Sequence, residues 1–157
     1  MKQKPIGTIA AINIDSAYEA GHATWAWVAF DREEKMLGYD YAYIGFINGM
    51  TCNIAEYYAA LAALRYLKEQ TVVTPVVIRG DSQLVIRQLR GEYGCRSATL
   101  VPLHAEAMRL SLSLNVRFRE IGRVANAIAD RFTVEAFPVD MREKVEEARK
   151  WQTQKRR

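Results

Sequence analysis

The chain has 157 residues, half of them hydrophobic and a quarter charged, the composition of one folded domain rather than a disordered segment. No run approaches the roughly 18 apolar residues of a membrane span. The short apolar run at 9–14 is interrupted by Asn13 and closed by Asp15, so it is not read as a signal peptide. The net charge of +4 comes from 22 Lys/Arg against 18 Asp/Glu, but seven of the cations and only four of the acids lie in residues 140–157. The body is therefore close to neutral, and overall charge says little about its partners. Cys52 and Cys95 form no CxxC pair, which points to two reduced thiols in a cytoplasmic protein and to no zinc site.

Residues 7–15 are expected to form a strand, with Ile12 and Ile14 on one face. A turn is expected at 17–21, then a strand rich in aromatic and β-branched residues at 22–30. After a polar turn at 31–35, a third strand covers 36–45, with Tyr39, Tyr41 and Tyr43 alternating on one face. The short turns predict an antiparallel meander. The pattern then changes to a helix over 53–70, with Tyr57, Leu61, Leu64 and Leu67 at helical spacing and Thr51 or Asn53 as its cap.

Val76, Val77 and Ile78 make a compact strand that ends in Arg79-Gly80-Asp81. A helix follows at 83–90 and stops at Gly91. Another helix is expected at 100–112, a strand at 116–119, a helix at 125–137 ended by Pro138, and a charged helix at 141–154. Crossovers of the strand–helix–strand kind require parallel pairing, so the later strands extend the meander into a mixed sheet. The fold class is α/β, with helices on both faces. Residues 1–139 are expected to form the folded domain. Residues 140–157 are expected to form a charged helix with a basic tail, Lys155 to Arg157, that is either a solvated terminus or a handle for an anionic partner.

Four carboxylates stand on apolar elements. Asp15 closes the first strand, Glu56 lies near the start of the most hydrophobic helix, and Asp81 follows a buried-looking strand at its carboxyl end. Asp130 ends Ala125-Asn126-Ala127-Ile128-Ala129-Asp130, a hexamer with no other charged residue. Each alone has an ordinary reading: a turn, a helix-dipole partner, a helix cap, a solvated side chain. Four together on apolar elements are costly unless a cation neutralises them, and hard divalent ions prefer oxygen ligands.

These segments resemble the type 1 ribonuclease H family, in its reverse-transcriptase-like branch. The resemblance runs from about residue 12 to 134. It is carried by Ile12-Asn13-Ile14-Asp15-Ser16-Ala17, Thr51-Cys52-Asn53-Ile54-Ala55-Glu56-Tyr57, Gly80-Asp81-Ser82-Gln83-Leu84-Val85 and Arg123-Val124-Ala125-Asn126-Ala127-Ile128-Ala129-Asp130.

It implies a ribonuclease H-like fold whose five-stranded mixed sheet has three antiparallel strands and then two parallel ones. It also implies that Asp15, Glu56, Asp81 and Asp130 bind two Mg²⁺ ions, with Mn²⁺ as an alternative, and hydrolyse the RNA strand of an RNA–DNA hybrid. Asn53, Ser82, Gln83, Arg123 and Asn126 are the implied substrate-binding residues, and the protein is expected to be a monomer. The alternatives are a non-catalytic hybrid- or duplex-binding module of the same fold, or a related DNA nuclease. Complete retention of the carboxylates argues against the binder, which gains nothing from negative charge facing phosphates.

The chain departs from the family pattern at several places. Ser16 stands where the family usually has Gly, and Cys52 where Asn is common. Upstream of Asp130, where many cellular members carry a His, it has Gly122 and Arg123. His22 and His104 are far away in sequence, so slower turnover is expected. Of the basic protrusion found in some members, only Arg87, Arg90 and Arg96 are present.

Overall fold

The computed structural model describes residues 8–70 and 75–155; Gly7, Arg156 and Arg157 lie outside the described residues. Strands β1 (Ala11–Glu19), β2 (His22–Phe30) and β3 (Met36–Phe46) form the meander. They are followed by α1 (Cys52–Glu69), β4 (Val76–Gly80), α2 (Gln83–Leu89), α3 (Val101–Ser111), β5 (Val116–Glu120), α4 (Ala127–Glu135) and α5 (Val139–Lys155). The sheet order is β3-β2-β1-β4-β5. The β1–β2 and β2–β3 pairs are antiparallel, and β1–β4 and β4–β5 are parallel. This is the expected mixed sheet.

Side-chain alternation in β2 assigns the two layers. Trp27 and Ala29 join Ile12 and Ile14 of β1 under α1, whose Leu61, Leu64 and Leu67 are buried, and Trp27 stacks on Tyr66 with ring centroids 4.2 Å apart. Val28 and Phe30 point the other way and pack on Ala129 and Phe132 of α4. The tyrosine row of β3 serves that second layer, with Tyr39 and Tyr41 both stacked on Phe132. Helices thus cover both faces, as a sheet with two apolar sides requires.

The first strand has the expected nine residues but is shifted along the chain, starting at Ala11. It continues beyond Asp15 to Glu19, paired residue by residue with β2 down to Glu19↔His22. The turn is confined to Ala20 and Gly21, both at positive φ (49° and 85°), the two-residue geometry that matches strand twist in a hairpin. A Cβ on Gly21 would also strike the Phe46 ring at 2.4 Å. Residues 16–19 look like a turn in sequence because one of their faces is polar. Ala17 on the opposite face is buried against Phe137 and Val145.

The expected charged C-terminal helix forms, and its first turns meet the body. Helix α5 starts directly after Pro138, and Val145 and Met141 pack on Phe137, Val134 and Ala17. The Arg142 guanidinium donates to the carbonyls of Phe137 and Glu135 at 2.9 and 2.7 Å, taking up oxygens at the end of α4. The first turns of α5 are therefore packed against the body. Farther along, Lys155 rests on the Trp151 ring, 3.8 Å from its centroid. No described helix is long and apolar enough to cross a membrane.

Candidate active site

Strand β1 is bordered by β4 only over Ala11–Asn13, paired with Val77–Arg79. Strand β4 then ends at Gly80 and the chain turns into α2, while β1 runs on alone along that side. The gap opens at the carboxyl end of β4, where open α/β sheets hold their ligands, and the acidic residues converge there. Asp15 stands in the middle of β1, beside the gap, and Asp81 is the first residue after β4. Glu56 reaches it from α1.

Glu56 is the fifth residue of α1, one turn inside its cap, so the helix dipole is not its reason for being there. The cap is Thr51, whose Oγ1 accepts from the Ile54 amide at 3.2 Å. Gly80 makes the approach possible: a Cβ there would sit 3.1 Å from Ile14 Cγ1 and 3.4 Å from Glu56 Oε1. Glu56 is then fixed by Ser16, whose hydroxyl donates to Oε2 at 2.7 Å. The residue that departs from the family's usual Gly thus supplies a hydrogen bond. Because β1 alternates, Ser16 lies on the α1 face of the sheet and Asp15 on the opposite face, beside the gap.

Asp15, Glu56 and Asp81 each offer a carboxylate oxygen, and the three oxygens lie within 4.8 Å of one another. Asp15 and Glu56 are buried, 5 % and 4 % exposed. Burial pushes the Asp15 carboxyl well above its ordinary value, and the charges of Glu56, Asp81 and Asp130 add to the rise. Burial also pushes Glu56 up to about 8, opposed by the Ser16 hydrogen bond and reinforced by Asp81. Asp81 is raised by burial, with the Arg123 charge pulling it back down and Asp130 raising it. Glu56 Oε1 is buried with no hydrogen-bond partner.

A buried, unpartnered oxygen beside two more carboxylates is expensive as it stands. The donor set is all oxygen and all anionic, which suits a hard divalent cation such as Mg²⁺ or Mn²⁺. The residues present fit such an ion, and Asp15, Glu56 and Asp81 would hold it.

Asp130 lies apart from that three-oxygen cluster. It is half-buried on α4, and Arg149 of α5 donates through Nη1 to both of its carboxylate oxygens at 2.8 Å. Nothing in the sequence singled out Arg149 among the seven cations of residues 140–157. Only the return of α5 over α4 brings it there.

The remaining sequence-predicted residues separate by role. Asn53 is half-buried at the second position of α1, and Thr51, not Asn53, makes the cap. Ser82 caps α2, its Oγ accepting from the Val85 amide at 3.4 Å, so that bond is not taken by Asp81. Gln83 is exposed, and with its amide oxygen turned toward the Arg87 guanidinium it accepts at 2.8 Å. Arg123 is exposed in the β5–α4 connection.

Asn126, expected at the substrate, is fully buried. Its Nδ2 donates to the Ile14 carbonyl at 2.9 Å, and its backbone carbonyl accepts from the Asp130 amide. It ties the strand of Asp15 to the helix of Asp130. A buried tie and a surface contact look alike in sequence, since both call for a polar side chain.

Comparison with known proteins agrees with this geometry. Residues 13–136 match the family described as Reverse transcriptase-like. LC11-RNase H1, isolated from compost by a metagenomic approach, superposes with a TM-score of 0.76 at 29% identity, covering 90% of this chain and 98% of that one. Its complex with an RNA/DNA hybrid gives 0.75, again at 29% identity, covering 88% and 97%. RNase H1 from the halophilic archaeon Halobacterium salinarum NRC-1 gives 0.72 at 27% identity, covering 80% and 95%. The matched segment runs from within β1 through β5 and includes all four carboxylates, and the sheet order is that of the superposed structures. The chain belongs to the reverse-transcriptase-like branch of the type 1 ribonuclease H family.

Proposed function

We propose that this protein is a divalent-metal-dependent endoribonuclease that hydrolyses the RNA strand of RNA–DNA hybrids. The observation that carries the reading is the convergence of Asp15, Glu56 and Asp81 within 4.8 Å, with a buried Glu56 oxygen left without a partner. The substrate follows from likeness: a protein 29% identical over 88% of this chain was crystallised with an RNA/DNA hybrid.

Asp15, Glu56, Asp81 and, in the working enzyme, Asp130 would hold two Mg²⁺ ions, or Mn²⁺ in their place. When bound, such ions activate a water and stabilise the leaving oxygen of an in-line phosphodiester displacement. The chain's own residues do the positioning. Ser16 orients Glu56 by its 2.7 Å hydrogen bond, Asn126 links β1 to the start of α4, and Arg123 places positive charge beside Asp81. No side-chain nucleophile is needed.

Incubating the protein with labelled RNA–DNA hybrid, double-stranded RNA and double-stranded DNA, with and without Mg²⁺ or Mn²⁺, tests the proposal. Cleavage of the RNA strand of the hybrid alone, and only with metal, is the expected result. Hybrid binding without cleavage would support the non-catalytic module, and cut duplex DNA the DNA nuclease.

Discrimination should rest partly on Asn53. Ribose 2′-hydroxyls are what a protein can use to tell a hybrid from duplex DNA in the shallow minor groove, and Asn53 stands at the α1 start, three residues before Glu56. Its alternative role, capping, belongs to Thr51. Asn53→Ala is therefore expected to lower kcat/KM on hybrid by about tenfold, the worth of one lost hydrogen bond of roughly 1.4 kcal/mol. The melting temperature should move little. A fall in melting temperature with unchanged kcat/KM would assign Asn53 to the helix instead.

A further inference from the structure

Asp130 is the one acidic residue of the four that a cation already occupies. Arg149 Nη1 lies 2.8 Å from both of its oxygens, and Nη2 donates to Thr133 Oγ1 at 3.3 Å. Thr133 is itself a fixed support. Its hydroxyl donates to the Asp130 carbonyl at 2.6 Å, and its own carbonyl accepts from Thr24 Oγ1 of β2 at 2.8 Å. The helix that delivers Arg149 is fixed as well. Arg142, Val145 and Arg149 fall at helical spacing on one face of α5. Arg142 bonds the end of α4, and Val145 is buried against Ala17 and Phe137. The guanidinium is thus held over Asp130 from two sides.

We propose that Arg149 is a positioning residue that keeps Asp130 out of the three-carboxylate cluster, and that a divalent cation must break this ion pair to recruit the fourth carboxylate. The proposal rests on the reading of Asp130 as a cation-binding residue. A guanidinium bonded to both oxygens uses the lone pairs that a metal would take, and two cations cannot share one carboxylate without repelling each other. The pair is partly exposed, with side-chain exposures of 33% for Arg149 and 46% for Asp130, so solvent weakens it enough for a divalent ion to displace it. Arg149 therefore sets the threshold at which Asp130 joins the site.

The experiment is calorimetric titration of the full chain with Mn²⁺ alone, without nucleic acid, at low ionic strength. Arg149→Gln is expected to tighten the Mn²⁺ Kd by roughly two- to fivefold, the fold-change that a partly exposed ion pair corresponds to. Lys150→Gln removes the same charge from an exposed neighbour with no contact to Asp130, and should change the Kd much less. In an Asp130→Asn background, Arg149→Gln should have no further effect.

An unchanged or weaker Kd for Arg149→Gln would overturn the proposal. So would an equal shift for Lys150→Gln, or a shift that persists in the Asp130→Asn background, since either would reduce the effect to general charge. If Arg149→Gln fails to fold, Arg149→Lys loses the planar fork but keeps a charge, and a smaller tightening in the same direction is expected; none would count against the proposal. Hybrid cleavage by the wild-type protein is a separate readout. Coupling of Arg149 to Asp130 in the titration without cleavage would remove the ribonuclease reading and leave this one standing. Cleavage without coupling would do the reverse.

Discussion

Asp81→Asn is expected to lower hybrid cleavage by about three orders of magnitude, with no loss of melting temperature in the metal-free protein. The carboxylate is one of three oxygen donors within 4.8 Å, and removing its charge removes an anionic ligand without changing side-chain volume. A metal clamp supplies several kcal/mol of stabilisation to the developing charge, and each 1.4 kcal/mol is tenfold in rate. Stability should not suffer, because Asp81 makes no helix cap: Ser82 fills that role for α2. Asp15→Asn should behave alike. Single-turnover cleavage of a labelled hybrid, beside a thermal melt of each variant, decides it. Wild-type turnover by Asp81→Asn would dismiss the metal assignment. Lost turnover together with a collapsed melting curve would show that the residue supports the fold.

The second large effect is on stability. In the absence of metal, Glu56 has its carboxyl pushed up to about 8 from the usual 4.5 and Asp15 is raised well above 3.8, both chiefly by burial. A carboxyl raised in the folded state favours folding while it is protonated. That contribution is complete below the unfolded value near 4, and is lost as pH rises through the folded value near 8. The metal-free protein should therefore melt at a lower temperature at pH 8 than at pH 6, with a loss on the order of a few kcal/mol across the window.

Glu56→Gln should flatten most of that dependence and raise the metal-free melting temperature at pH 8. Divalent ions need the deprotonated carboxylates, so their stabilising effect should grow with pH. At a hundredfold excess over Kd, about 2.7 kcal/mol of linkage corresponds to roughly 5–10 °C for a chain of this size. Thermal melts at several pH values, with EDTA and with millimolar Mg²⁺ or Mn²⁺, measure both effects. A curve that ignores metal at pH 8, with no gain in Glu56→Gln, would mean that the carboxylates do not form one cation site.

The element order, the mixed sheet and the carboxylates that stand on apolar elements were legible in the sequence, because each depends on local regularity. Aromatic and β-branched content marks β2, and period-two alternation of tyrosines marks β3. The Ala- and Leu-rich spacing marks α1. A charge on an apolar element is conspicuous wherever it falls, since its neighbours in sequence are also its neighbours on that element. The end of β1 was not legible, because pairing with β2 carries residues 16–19 through a stretch whose own composition suggests a turn.

What touches what across the chain was settled only by the tertiary structure. Ser16 and Glu56 are 40 positions apart, Asn126 and Ile14 are 112 apart, and Arg149 and Asp130 are brought together by two successive helices. No pattern along the chain encodes such pairs. Their partners are chosen by which faces the packed layers leave opposite one another, and an arginine on a charged helix looks the same in sequence whether it faces water or a carboxylate. The kinds of residue that could make a cation site were therefore determined locally. The grouping of three of them into one cluster, with the fourth held by Arg149, was decided by the gap beside β1 and by the packing of α5 onto the sheet's second layer.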